Sequence, residues 1–235
     1  MKAPVFGFKN VWKKRSDGSQ VWILVFLITM TIQKFAEIGS QGLLFMFLKI
    51  QYNAEIGDVT NIAIVFGLMM IIAQLGVVPL LSGKLKFRDT SILTIAMSTS
   101  IIGCIILTLG DNLNIIILGC FFGSLYISIN STARSCLSKL VDPADIGSLF
   151  GICGIIFVAL SVVSKPFYSF VYKATVQVFP AAFLYLTLGL LVVVLVLIII
   201  AHFGMKMVEV NIETENQIHE EQKEGTKVMS ERLLF

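Results

Sequence analysis

Histidine occurs only twice, at His202 and His219. The chain also has no Ser/His/Asp set, no paired catalytic carboxylates, no HExxH and no phosphate-binding glycine loop, so it is read as a non-enzyme. Cysteine is nearly as scarce. Cys104, Cys120, Cys136 and Cys153 lie in or beside apolar runs and make no CxxC or Cys/His spacing. Such thiols pack in a membrane interior and do not form metal, redox or disulfide sites. No cofactor, metal or nucleic-acid partner is expected. Charge is the third scarcity, at 14% of 235 residues with a net +3.

Apolar sequence is what abounds. The chain is 56% hydrophobic, with a mean hydropathy of +0.87. A soluble helical bundle would need polar faces at helical period. The stretch FLYLTLGLLVVVLVLIIIA, residues 183–201, has none. Repeated apolar runs of about 20 residues between short charged loops imply an all-α bundle in a lipid bilayer. Six spans are expected, at 21–49, 59–82, 90–110, 112–134, 147–172 and 181–204. Residues 1–20 form a basic lead, and 205–235 an acidic tail too poor in apolar residues to fold alone. A cleaved signal peptide is not expected, because the first run is too long for one and lacks a small-residue cleavage site.

Lysine and arginine set the orientation. The lead carries Lys2, Lys9, Lys13, Lys14 and Arg15; the second loop carries Lys84, Lys86 and Arg88; the fourth carries Arg134 and Lys139. The alternate loops hold Lys49, Asp111 alone, and Lys173. Both termini are therefore expected on the cytoplasmic side. Trp12 and Trp22, with Tyr168, Tyr172 and Phe179, are expected as interfacial anchors. GCFFG and GSLFG place Gly119 with Gly123, and Gly147 with Gly151, at the spacing for close helix approach. The sequon at Asn130 is assigned to the cytoplasmic end of span four, where glycosylation is not expected. The terminal SERLLF has Met229 where a dileucine sorting signal wants an acid.

Two charges interrupt the first span. In TIQKFAEIG, Lys34 and Glu37 are three residues apart and share a helix face. The preceding run, VWILVFLITMTIQ, spans only about 20 Å of helix against a core of about 30 Å, so a spanning helix must continue through both charges. Each costs about 2.5–3.5 kcal/mol at mid-membrane unless paired or facing water. With Gln33 and Gln41 nearby, the pair reads as a cavity-lining substrate or proton site with Glu37 titrating, or as a neutralised lock between helices. Arg134 reads as part of a gate with a cytoplasmic-face acid, or as a phosphate contact. Lys165 precedes Pro166, which should kink or break span five. It contributes to a substrate site or snorkels outward. Asp142-Pro143 reads as a helix start, with Asp142 capping and Pro143 in the first turn.

The block RSCLSKLV, residues 134–141, followed by Gly147 and Phe150, resembles solute carrier family 46, the proton-coupled folate transporter-like branch of the major facilitator superfamily. Members read RSMLSKLV there, and downstream roughly SPLYTLVYNATxxxFPGAF. Pro166, Tyr168, Val171, Tyr172, Ala174, Thr175, Phe179, Pro180, Ala182 and Phe183 match in the same order. KKRSDG, before the first span, is similar to the family's central linker. Lys165 departs from the family's usual small residue. The resemblance implies half of a major facilitator fold, helices seven to twelve, with six more spans or another half-transporter as partner. It also implies proton-coupled uptake of folates or related organic anions, at a plasma or endolysosomal membrane. The rival readings are a non-transporting interaction or regulatory protein that pairs with full-length relatives, and a six-span oligomeric channel.

Overall fold

A computed structural model describes residues 19–84, 88–110, 112–141, 143 and 145–204. Readings attached to the lead, the tail, Lys86, Asp111 and Asp142 lie outside the described residues. The described residues form six helices and no strand. They are α1 (Gln20–Tyr52), α2 (Ile56–Ser82), α3 (Asp89–Leu109), α4 (Leu113–Lys139), α5 (Ile146–Thr175) and α6 (Ala182–Gly204). The shortest, α3, has 21 residues, about 32 Å at 1.5 Å per residue; α1 has 33, about 50 Å. Every helix is long and apolar enough to cross a hydrocarbon core of about 30 Å. The architecture is that of a multi-pass membrane protein, and the expected spans are all present.

Local chemistry sets the ends. Asn53 takes φ 50°, and the Ala54 N–H reaches back to the Leu48 carbonyl at 3.5 Å, closing α1 with an αL residue. Glu55 and Asp58 then form a reciprocal capping box on α2. Asn112 Oδ1 accepts the Ile115 N–H at 3.1 Å and opens α4. The start of α5 differs from expectation. The helix begins at Ile146, Pro143 lies before it, and Asp145 holds the cap position without a side-chain capping hydrogen bond to the helix end. Its φ of −97° and ψ of −11° are already helical, not the extended backbone a capping side chain needs.

Pro166 neither ends nor breaks its helix, since α5 runs on to Thr175. Proline removes one backbone donor. Ending the helix there would strand several more groups in lipid, which costs more. Helix α2 ends in two π-helical segments, Ala73–Val77 and Leu80–Lys84, on either side of Pro79. Helix α4 tightens at Ser124 and Leu125, where N–H groups of Ser124 and Ser128 bond carbonyls three residues back.

Helix α1 packs extensively on α5, and α3 on α4. At the second seam a Cβ on Gly103 would lie 2.6 Å from the Gly123 nitrogen and 2.7 Å from the Gly119 oxygen. GCFFG is therefore a close-approach face. GSLFG is not, because Gly147 and Gly151 are exposed with open space where a Cβ would stand. Of the expected anchors among the described residues, Tyr168 is fully buried and hydrogen-bonds Thr187 Oγ1 at 3.1 Å, Tyr172 packs edge-on to Phe183, Trp22 rests on Gly204 at the ends of α1 and α6, and Phe179 is exposed.

Two apolar clusters make the core. One gathers Phe26, Met30, Met97, Leu137, Leu149 and Val194, and the other Phe47, Ile116, Tyr168, Tyr172, Phe183 and Leu184. Helices α2 and α5 bury little. Leu68, Ile72 and Leu75 on α2, and Val158, Val162 and Phe170 on α5, are 57–74% exposed. In water such continuous apolar faces would aggregate, whereas in a bilayer they meet hydrocarbon.

Candidate functional site

A polar belt separates the two clusters, because α1 contributes Met30 to one and Leu43 to the other. Between them stand Gln33, Lys34 and Glu37. Helix α1 spans residues 20–52, whose midpoint is residue 36, so Glu37 sits at the middle of the helix. The helical spacing brings three donors to one carboxylate. Lys34 Nζ lies 2.8 Å from Glu37 Oε1, and Gln33 Nε2 lies 3.4 Å from Oε2. The third comes from α4, where Asn130 Nδ2 donates to Glu37 Oε2 at 3.2 Å. The Tyr126 hydroxyl, one turn earlier on α4, donates to the Gln33 carbonyl at 3.2 Å.

Burial sharpens these contacts. Gln33 is fully buried, and the Lys34 and Glu37 side chains are 24% and 17% exposed. Both amides spend their N–H groups on Glu37, leaving Gln33 Oε1 and Asn130 Oδ1 buried with no partner among the described residues. Groups orphaned in this way cost about 1–3 kcal/mol each. A cavity of about 340 Å³ opens beside Glu37, lined also by Ser40, Gln41, Phe66, Tyr126 and Thr187. Most of the remaining wall is apolar. A carboxylate with three donors, facing a roomy apolar cavity, can orient a small solute.

The other sequence candidates divide. Gln41 lines the same cavity, one turn from Glu37. Arg134 stands one turn beyond Asn130, with its guanidinium 5.9 Å and 5.8 Å from the Phe150 and Phe157 ring centres on α5. That is cation–π range. Among the described residues no carboxylate pairs with it. The helix-end ion pair belongs instead to Lys139, whose Nζ lies 2.7 Å from Asp89 Oδ2, with Ser135 Oγ donating to the same oxygen at 2.7 Å. The neighbouring Thr90 hydroxyl meets His202 Nδ1 at 2.8 Å, so α3, α4 and α6 are tied at one end. Lys165 is not in the belt and lines a groove on another face of α1.

Asn130 and Tyr126 were not anticipated as site residues. The sequon reading put Asn130 at a helix end, but α4 continues to Lys139 and leaves it nine residues inside. An amide so far from either end of a span was the available signal. The chain matches no protein-family model and no curated protein sequence.

Proposed function

We propose that this chain is a transport half, the C-terminal six helices of a major facilitator-type transporter that moves a small organic anion together with protons. The observation that carries the reading is Glu37, held at mid-helix by Lys34, Gln33 and Asn130 and bordering the cavity. A carboxylate at that depth, paired with Lys34, suits alternate loading by proton and anion. The resemblance over the RSCLSKLV block and the Pro166–Phe183 stretch supports the same family. Rocking of this half against a second six-helix half would expose the site to each side in turn. Lysine and arginine placement puts both termini on the cytoplasmic side.

The test is proton flux. Proteoliposomes holding the chain together with a second six-helix half, with a pH-reporting dye inside, should acidify when a folate is added on the acidic side. Glu37→Gln should abolish that response while incorporation stays normal, and undiminished flux in the variant would remove Glu37 from the mechanism. The second reading is a non-transporting interaction protein, favoured by the Asn130–Glu37 bond, which ties α1 to α4 as a lock would. On that reading wild-type vesicles show no anion-dependent flux, and Glu37→Gln lowers only thermal stability.

A further inference from the structure

The face of α1 turned away from Glu37 borders a second cavity. Glu37, Gln41, Leu44 and Leu48 follow one helical stripe along the first cavity, whereas Gly39, Gly42, Leu43 and Met46 follow another. Opposite the second stripe, α5 presents Lys165, Ser169, Tyr172 and Lys173, spaced four, three and one apart, hence on one face. Together they enclose about 360 Å³, within the range of about 300–1,000 Å³ for small-ligand pockets.

We propose that this groove binds an anionic phosphate or carboxylate group attached to an apolar body. Among the described residues neither Lys165 nor Lys173 has a carboxylate within ion-pair distance. Tyr172 is only 6% exposed, its ring fixed edge-on to Phe183 at 5.6 Å, and its buried hydroxyl has no hydrogen-bond partner among the described residues. Gly42 leaves open space where a side chain would otherwise stand. Snorkelling accounts for a lone lysine at a helix end. It does not account for an orphaned phenol in a groove that both lysines line. An anion's oxygens would accept from both lysines, Ser169 and Tyr172, and Leu43 and Met46 offer an apolar wall to whatever the anion is attached to. A phospholipid headgroup and a soluble organic anion share this chemistry. The site is independent of the transport reading, since it uses neither Glu37 nor its cavity.

The test uses the full chain purified in an uncharged maltoside detergent, with thermal midpoint and native mass spectrometry as readouts. Phosphatidic acid and inorganic phosphate are the two probes, and phosphatidylcholine is the control. A saturable rise in midpoint with phosphatidic acid alone assigns the groove to lipid; a rise with phosphate assigns it to soluble anions. Lys165→Gln and Lys173→Gln should each weaken the effective probe at least about tenfold, and Tyr172→Phe about threefold. Gly42→Leu should fill the groove and abolish binding without lowering the ligand-free midpoint. Lys49→Gln, on an exposed lysine that does not line the groove, should change nothing. The proposal is overturned if neither probe binds, if Lys49→Gln weakens binding as much as the groove variants, or if Gly42→Leu retains it.

Discussion

Glu37 gathers its donors unevenly, two from its own helix and one, Asn130, from α4. Removing its charge strands Lys34, whose side chain is only 24% exposed. Breaking a fully buried pair from one side costs about 3–5 kcal/mol, and this partly exposed one should cost about 2. Glu37→Gln should therefore lower stability more than the double variant Lys34→Gln/Glu37→Gln, which leaves no orphan charge. Detergent-phase unfolding of wild type, both singles and the double measures this, and a loss in the double equal to the sum of the two single losses would show that the pair is not coupled. Lys34 and Glu37 were legible because a charge in an apolar run carries a cost that a partner or water must offset. Asn130 was not, because its partner stands 93 positions away and only tertiary packing brings the two together.

The helices themselves were legible, since bilayer thickness dictates their minimum length whatever the sequence detail. Their faces were not. A span that is apolar all round carries no periodic mark of which side meets a neighbour. Two glycine pairs at identical spacing thus met different fates, one pressed against α3 and the other facing outward. Gly103→Ala should cost about 1–3 kcal/mol, because its new methyl would meet the α4 backbone, which cannot swing aside as a side chain can. Gly147→Ala should be neutral or stabilising by up to about 1 kcal/mol, reflecting alanine's better helix propensity. Thermal melting of the two variants separates these outcomes, and a loss of similar size at both sites would contradict the assigned faces. The same lack of local marks hid the fate of Pro166, where the cost of opening a helix in lipid outweighed the cost of one missing bond.

Across the whole molecule, the Asp89–Lys139 and Thr90–His202 contacts lie at one end of the bundle, and Asn53 and Lys173 at the other. The proposed orientation, drawn from lysine and arginine counts, sets the first end in the cytoplasm. Single cysteines at Arg88 and Pro143, in a background with the four native thiols replaced, should react with an impermeant maleimide only from that side. Cysteines at Asn53 and Lys173 should react only from the opposite side. Labelling of all four from the same side would refute the six-span topology. The uneven covering of the helices has a consequence of its own. For α2 and α5, acyl chains do what side chains do elsewhere, filling gaps and transmitting pressure, so the fluidity of the surrounding lipid sets how stiff those flanks are. Solubilisation by a short-tailed amphiphile would loosen α2 first, while α3 and α4, clasped backbone to backbone, would be the last to part.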